Sequence, residues 1–194
     1  MLLPSSLTRT ALMLAGLSLA LSACDSGAEA PGQEQADLAA QKASLSGEID
    51  DSRAGDLMPA INVSDPDGKK INLGALQGQP VLLNLWATWC PPCKVEMPML
   101  NALAAENSDS LRVIVVSQEL SKPENVLAFF QQKQLDNLHP WMDPEGLIGK
   151  ALGANVLPIT VLYDASGREI WRVQGEYDWS SAETQEAIAA ALAE

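Results

Sequence analysis

The sequence of 194 residues is poor in the residue types that build metal sites and disulfide scaffolds. It contains one histidine and three cysteines, whereas a structural zinc site takes four such ligands close together and a disulfide scaffold takes several cysteine pairs. Basic residues are also scarce. Twelve lysines and arginines against 25 acidic residues give a formal net charge of −13, which repels nucleic acid and anionic headgroups. We therefore expect no nucleic-acid partner, no metal or other cofactor, and a domain stabilised by its hydrophobic core.

Residues 1–23 are predicted to be an export signal. The apolar run from Ala11 to Ser22 has signal-peptide length and is too short to span a bilayer comfortably. It ends in the letters "LSAC", which resemble the lipobox of bacterial lipoproteins, with Cys24 as the lipidated cysteine. An ordinary signal peptide followed by a chance cysteine is the alternative. Lipidation of Cys24, with Asp25 behind it, predicts a lipid-anchored protein in the bacterial cell envelope, at the periplasmic face of the inner membrane.

Residues 24–56 are predicted to form a flexible tether behind the lipidated cysteine. They contain no aromatic residue and are dominated by small, polar and acidic residues, a composition that cannot bury enough apolar surface to offset ordering. About 30 flexible residues have a root-mean-square reach of roughly 30 Å. A short helix within "EQADLAAQKASL" is the alternative. We expect residues 57–194 to form one folded domain.

Strand-like and helix-like patterns alternate along this domain. Near-continuous apolar runs such as "VLLNLWA" and "LRVIVVS" are typical of strands buried on both faces. "PENVLAFFQQKQ" begins with proline and has apolar residues at helical spacing. Two further stretches, around "DPDG" and "ASG", are typical of β-hairpins. The predicted order is hairpin, βαβα, short helix, hairpin and C-terminal helix, which indicates an α/β domain with a mixed β-sheet.

The segment "WATWCPPCKVEMP" carries the remaining cysteines, Cys90 and Cys93. A structural disulfide over so short a loop would remove little chain entropy, whereas a redox pair needs a short loop so that the second thiol can reach a mixed disulfide. Cys90 falls where the strand meets a helix predicted from about Pro92 to Glu106. The free N–H groups and partial positive charge of a helix N-terminus stabilise a thiolate. We therefore predict Cys90 as the nucleophile and Cys93 as the resolving thiol.

This segment closely resembles the active-site segment of the thioredoxin superfamily, in particular its membrane-tethered TlpA/ResA-like branch. The resemblance extends from about Leu57 to the C-terminus, and "LPITVLYDASGREI" is similar to the segment that carries the superfamily's cis-proline, here Pro158. It implies a thioredoxin-like fold: a central mixed β-sheet flanked by helices, with an extra N-terminal β-hairpin. It also implies thiol–disulfide exchange outside the cytoplasm, through a redox-active disulfide between Cys90 and Cys93.

The resemblance also implies which residues meet the substrate. Pro158 would be cis and face Cys90, so that it and Leu157 present backbone to an extended substrate; an ordinary edge or turn proline is the alternative. Trp89 resembles the tryptophan that shapes the thioredoxin site, although it could belong to the core. Pro91 and Pro92, between the cysteines, complete the predicted substrate-binding set.

Two polar residues bear on proton handling. Asn84 occupies the position where cytoplasmic thioredoxins carry a buried aspartate, so it cannot help to move the proton of the second thiol. Glu96 lies three residues after Cys93 and hence on the same helix face. The TlpA/ResA-like branch has a glutamate there that is linked to thiol proton handling, which makes Glu96 a third catalytic candidate. A solvated surface acid is the alternative.

Pro91 and Pro92 supply neither a backbone N–H nor a positive side chain between the cysteines, which favours a reducing pair. By resemblance, the clients would be disulfides or dithiols of proteins in cytochrome c or oxidase copper-site assembly. A membrane thiol-electron transporter of the CcdA/DsbD kind would recharge the protein. Two alternatives stay open: an oxidant that introduces disulfides, and a thioredoxin-fold copper chaperone that binds copper through Cys90, Cys93 and His139.

Overall fold

The computed structural model describes residues 47–120 and 122–193. Within these ranges one eight-stranded mixed sheet has the strand order β1-β8-β7-β4-β5-β6-β2-β3. The export signal, Cys24 and residues 24–46 of the predicted tether lie outside the described residues. No helix in the described ranges has the length and apolar character needed to cross a membrane.

The strands of the sheet are β1 (Ile49–Asp50), β2 (Asn62–Ser64), β3 (Lys70–Asn72), β4 (Val81–Trp86), β5 (Arg112–Ser117), β6 (Trp141–Met142), β7 (Ile159–Tyr163) and β8 (Glu169–Gln174).

The middle of the sheet is formed by β4, whose six residues are all buried. It pairs in parallel with β5 and antiparallel with β7, so that Asn84 lies opposite Val115 on one side and Thr160 on the other. Burial on both faces explains why the sequence of β4 is almost continuously apolar. Asn84 is the exception, and it lies in the middle of the sheet.

In the part of the chain that the structure describes, four α-helices cover the two faces of the sheet: α1 (Pro91–Glu106), α2 (Pro123–Lys133), α3 (Leu147–Leu152) and α4 (Ala182–Leu192). One core contains buried side chains of α1, α2 and α4, among them Leu100, Phe130 and Ile188. The other core contains α3 and residues of the N-terminal hairpin, among them Ile148 and Val63. A mixed sheet between two helix-bearing layers confirms the predicted α/β class.

The N-terminal boundary of the domain differs from the predicted one. The described chain is already part of the sheet before Leu57, because β1 pairs antiparallel with β8 and Ile49 lies opposite Val173. The backbone N–H of Gly47 also donates to the carbonyl of Glu176, at 2.8 Å. These contacts join segments far apart in the chain, so the composition of the segment did not indicate them.

The predicted N-terminal hairpin is present as β2 and β3, with Val63 opposite Ile71. A short strand that the sequence analysis did not predict, β6, connects it to the rest of the sheet. Met142 of β6 pairs with Ser64 of β2, and Trp141 pairs with Val116 of β5. A strand of two residues is too short for a period-2 pattern, which explains why it was missed.

Candidate active site

The two cysteines lie where β4 ends and α1 begins. Cys90 is the N-cap of α1, in an extended conformation (φ −94°, ψ 105°), and its backbone N–H donates to the carbonyl of Ala87 at 3.1 Å. Pro91 and Pro92 occupy the first positions of the helix, where a missing N–H costs no hydrogen bond. The local sequence therefore begins a helix directly behind Cys90.

Cys90 and Cys93 are joined by a disulfide bond. Cys90 is 4% exposed and Cys93 is 1% exposed, so both are buried and the slightly less buried residue is the one predicted as the nucleophile. The backbone N–H of Cys93 points at the Sγ of Cys90, at 3.3 Å. In the reduced protein the same N–H group, at the positive end of α1, would stabilise a Cys90 thiolate.

A groove of about 540 Å³, the Trp89–Leu157 groove, is lined by these two residues together with residues of α3 and of the chain before and after it. Trp89 directly precedes Cys90. Trp89 is 61% exposed, which excludes the alternative that it belongs to the core. The Leu157–Pro158 peptide bond is cis, and Pro158 is buried. The carbonyl of Pro158 already accepts a hydrogen bond from Gly175 N–H at 2.9 Å, so Leu157 is the member of this pair that lines the groove.

Pro91 and Pro92 do not line this groove. Pro91 is exposed and lines a second groove, of about 730 Å³, between α1 and α2, with Thr88 and Phe129 among its other walls. Pro92 is half-buried in the first turn of α1. The five predicted substrate-binding residues are therefore divided. Trp89 and Leu157 line one groove, and Pro91 lines the α1–α2 groove. Pro92 is half-buried and Pro158 is buried, and neither lines either groove.

The loop before Cys90 is held by a residue that the sequence analysis missed. Oε2 of Glu119 accepts hydrogen bonds from the hydroxyl of Thr88 at 2.6 Å and from its backbone N–H at 3.3 Å. Thr88 and Glu119 follow β4 and β5, and the ends of these parallel strands meet at one edge of the sheet. Nothing in the local sequence marks Glu119, because only the strand pairing brings it to the loop that presents Trp89.

Glu96 lies inside the domain, 1% exposed, which excludes the alternative of a solvated surface acid. Its Oε1 accepts the backbone N–H of Tyr177 at 2.6 Å, and its Oε2 accepts the Asn84 Nδ2 group at 3.4 Å. The pKa of Glu96 is raised to about 8, by burial above all and also by the nearby charge of Glu176, while the Tyr177 N–H, the Trp179 indole and the Asn84 amide act in the opposite direction. At neutral pH the Glu96 carboxyl is therefore mostly protonated.

Asn84 connects Glu96 to the strand that follows the cis-proline. Its Nδ2 group lies 2.9 Å from Oγ1 of Thr160 in addition to its contact with Glu96. Asn84 and Thr160 are 1% and 2% exposed. The sequence analysis named Asn84 and Glu96 but missed Thr160, Tyr177 and Trp179. The only local feature of the sequence that could have pointed to Thr160 is its position two residues after Pro158.

The histidine takes part in a different contact. Nε2 of His139 lies 2.9 Å from Oδ2 of Asp65, and its ring centroid lies 4.4 Å from that of Trp141. In the described ranges no group of three or more histidine, cysteine, aspartate or glutamate side chains could hold a metal ion. The structure therefore does not bring His139 together with Cys90 and Cys93 as the copper-chaperone alternative requires.

Comparisons with known proteins agree with this geometry. The pattern of the Redoxin family matches residues 53–191. The thiol-disulfide oxidoreductase ResA of Bacillus thuringiensis subsp. konkukian (strain 97-27) is 35% identical over 119 residues, which cover 61% of this chain and 68% of ResA. The thiol:disulfide interchange protein DsbE of Escherichia coli (strain K12) is 37% identical over 102 residues, which cover 52% of each chain.

Solved structures show the same architecture. A crystal structure assigned to a thiol:disulfide interchange protein DsbE from Chlorobium tepidum superposes with a TM-score of 0.65 at 25% identity, covering 72% of this chain and 97% of that one. StoA from Bacillus subtilis, at 23% identity and a TM-score of 0.55, shows the fold alone. The predicted thioredoxin-like fold is thereby confirmed. The chain belongs to the Redoxin family and is a thioredoxin-like thiol:disulfide oxidoreductase of the TlpA/ResA-like type.

Proposed function

We propose that this oxidoreductase reduces disulfides of client proteins outside the cytoplasm, with Cys90 as the nucleophile and Cys93 as the resolving thiol. The observation that carries the proposal is the position of the pair. Cys90, the less buried cysteine, lies at the N-terminus of α1, and its Sγ receives the N–H of Cys93. The residue directly before it, Trp89, lines a groove with Leu157. An extended client segment in that groove would bring its disulfide towards Cys90 Sγ.

The reaction would proceed in two exchanges. In the reduced protein the Cys90 thiolate attacks one client sulfur, the client disulfide breaks, and the other client sulfur leaves as a thiolate that takes up a proton. Cys93, as a thiolate, then attacks Cys90 Sγ in the mixed disulfide. This step releases the second client sulfur and forms the Cys90–Cys93 disulfide. Two electrons pass from the protein dithiol to the client disulfide, which becomes a dithiol.

Glu96 is the group we propose to handle the proton of Cys93. It lies one turn further along α1, and its pKa, which burial raises to about 8, falls near the value of about 8.5 at which ordinary thiols titrate. The ionised fraction of Glu96 accepts the proton of Cys93 before the second exchange. The protonated form returns it when the pair is reduced again.

The reducing direction is supported by what lies between the cysteines. Pro91 and Pro92 provide no N–H and no positive side chain for a Cys90 thiolate, which leaves the helix terminus and the Cys93 N–H to stabilise it. Strong oxidants stabilise their reduced thiolate much more strongly. We therefore propose a potential on the reducing side of the scale and, as recharging partner, a membrane thiol-electron transporter of the CcdA/DsbD kind.

Clients and location follow from the resemblance to the TlpA/ResA-like branch. We propose client disulfides of the cytochrome c or oxidase copper-site assembly type, and a lipid anchor on Cys24 that holds the protein at the periplasmic face of the inner membrane. The "LSAC" segment and the following Asp25 support the anchor. Mass spectrometry of the mature N-terminus tests it: a diacylated or triacylated Cys24 is expected, and an unmodified terminus that begins elsewhere contradicts it.

Insulin reduction in the presence of dithiothreitol tests the activity. The wild-type protein should accelerate the precipitation of the insulin chains, and Cys90→Ser should lower the rate to that of dithiothreitol alone. Cys24→Ser is the matched control, because it makes the same change outside the pair and should keep full activity. Undiminished activity in Cys90→Ser would end the assignment of the nucleophile.

A further inference from the structure

Asn84, Glu96 and Thr160 form a buried cluster that joins three elements: β4, α1 and β7. The Nδ2 group of Asn84 lies between the other two, 2.9 Å from Oγ1 of Thr160 and 3.4 Å from Oε2 of Glu96. All three residues are at most 2% exposed. In the described ranges Oδ1 of Asn84 is also buried and has no hydrogen-bond partner. The side-chain amide of Asn84 is thus hydrogen-bonded through Nδ2 only.

The hydrogen bonds of Glu96 fit only one of its protonation states. Both carboxyl oxygens face donors, Tyr177 N–H at 2.6 Å and the Asn84 amide at 3.4 Å, which suits a carboxylate. Burial without a cation, however, favours the neutral acid. The acid carries a proton of its own and needs an acceptor. Within the cluster, the acceptor that has no hydrogen-bond partner among the described residues is Oδ1 of Asn84.

A rotation of the Asn84 amide by about 180° exchanges the places of Oδ1 and Nδ2. Oδ1 would then lie where it can accept the proton of the Glu96 acid. The hydroxyl of Thr160 serves both orientations, because it can accept from Nδ2 or donate to Oδ1. Each orientation leaves one end of the amide without a partner in the described residues, so neither orientation is strongly preferred by its contacts alone.

We propose that Asn84 is a positioning residue whose side-chain amide turns over when Glu96 gains or loses its proton, a role that rests on the proposed dithiol chemistry of the neighbouring pair. Nδ2 faces Glu96 when the carboxyl is ionised, and Oδ1 faces it when the carboxyl is protonated. The buried acid can then exchange its proton with Cys93 without being left opposite a donor in its protonated state. A fixed aspartate or an apolar residue at this position could not do both.

The protonation of Glu96 also depends on the groups that face it from other elements. These are the carboxylate of Glu176, the Tyr177 N–H and the indole of Trp179, all after β8, and the Asn84 amide of β4. The Cys90–Cys93 pair lies at the start of the helix that carries Glu96. The pair does not titrate while it is a disulfide. The oxidised protein therefore isolates the titration of Glu96 from that of the thiols.

Nuclear magnetic resonance of the oxidised, isotope-labelled full chain tests the proposal. The Glu96 carboxyl carbon reports its protonation, and the nuclear Overhauser effect between the Asn84 side-chain amide protons and the Thr160 methyl group reports the orientation of the amide. We expect this effect to be strong at about pH 10 and weak at about pH 6, two units on either side of the Glu96 pKa of about 8. In Glu96→Gln, which cannot titrate, it should not change with pH.

An Overhauser effect that stays constant while the Glu96 carbon titrates would overturn the proposal, and so would a carboxyl carbon that does not titrate between these two pH values. Neither result depends on insulin reduction. The amide rotation can therefore be refuted while the proposed function stands, and the proposed function can be refuted while the amide rotation stands.

A kinetic measurement completes the test. In Asn84→Leu the pH at which the exchange rate of the reduced protein rises should move upward, because a donor that lowers the Glu96 pKa is lost. Asn84→Gln, which keeps an amide, should restore part of the wild-type profile.

Discussion

Two buried carboxylates in this domain have opposite surroundings. Glu169 and Arg172, both on β8 and at most 3% exposed, form a bidentate ion pair in which Nε donates to Oε1 and Nη2 donates to Oε2. Arg172 also donates to the carbonyl of Leu152, at the end of α3. Glu96 is at least as deeply buried, but among the described residues it forms no ion pair; its neighbours include the backbone N–H of Tyr177, the Asn84 amide and the Trp179 indole.

The difference shows how a fold assigns a structural or a chemical role to an acid. The cation opposite Glu169 holds charge in the interior, and the carboxylate in turn raises the pKa of Arg172. Glu96 has no such partner, so burial keeps it mostly neutral and raises its pKa to about 8, within the range where thiols titrate. One acid connects β8 to α3 through Arg172, whereas the other is the acid that we propose exchanges a proton with Cys93.

The largest expected effect comes from breaking the ion pair. Arg172→Met should lower the free energy of unfolding by about 3 to 5 kcal/mol, because Glu169 is left as a buried charge without a partner. Urea denaturation at pH 7 measures this loss. Adding Glu169→Leu to the Arg172→Met variant should recover much of the stability. A loss in Arg172→Met of less than about 1 kcal/mol would show that the pair is not a buried structural contact.

Glu96→Gln, in contrast, should lower the rate of disulfide exchange strongly and change the stability of the neutral-acid form little. It is nearly isosteric with the protonated acid, so stability at about pH 4.5 and below, where the wild-type carboxyl is neutral in the folded protein, should change by less than about 1 kcal/mol, which is the order of a single net hydrogen bond. The rate of disulfide exchange should fall by about 100-fold, the lower end of what general acid–base catalysis contributes. Stopped-flow reduction of a model disulfide by the reduced protein measures the rate. A variant that keeps the wild-type rate would show that Glu96 takes no part in the exchange.

The pH dependence of stability sharpens the same contrast. The pKa of Glu96 is raised from its ordinary value of 4.5 to about 8, so between these values the folded protein binds a proton that the unfolded chain has released. Stability contributed by the neutral acid is therefore fully present below about pH 4.5 and is lost as the pH rises towards 8, with a slope of at most about 1.4 kcal/mol per pH unit. Urea midpoints from pH 5 to pH 8 should fall less steeply in Glu96→Gln than in the wild type. Parallel curves would refute the raised pKa.

The smallest effect is expected at the loop before the nucleophile. Glu119→Gln keeps an acceptor for Thr88 but removes a charge from the charge-assisted hydrogen bond, so the change in stability should be about 1 kcal/mol or less. Because this loop presents Trp89, the Michaelis constant for insulin should change more than the turnover number. Thr88→Val is the matched change on the other side of the contact. An effect of Glu119→Gln as large as that of Glu96→Gln would remove the distinction between them.

Local patterns in the sequence predicted the elements that carry the site. The apolar run of β4 and the prolines behind Cys90 are local signals, so the strand, the helix start and the cysteine pair could be placed from sequence. The segment around Pro158 was placed by its resemblance to the thioredoxin superfamily, and the Leu157–Pro158 bond is cis in the structure.

Contacts between distant segments could not be placed in this way. The link from Tyr177 N–H to Glu96 spans 81 residues, and that from Thr88 to Glu119 spans 31 residues. The burial of Glu96 depends on such contacts, because its position on the helix was visible in the sequence but the loop that covers it was not. The pairing of β1 with β8 was missed for the same reason. Sequence thus placed the cysteine pair better than the contacts that surround Glu96.

The reduction potential of the Cys90–Cys93 pair tests the central claim most directly. Equilibration with dithiothreitol or glutathione should place it nearer to about −270 mV than to about −120 mV, the values typical of thioredoxin and of the oxidant DsbA. The gap of roughly 150 mV corresponds to about 7 kcal/mol at about 1.4 kcal/mol per 30 mV, which such an equilibration resolves easily. Pro91→His should move the potential towards the oxidising end by adding a positive partner for the thiolate. A wild-type potential near the oxidant end would contradict the reductase assignment and replace it with a disulfide-introducing role.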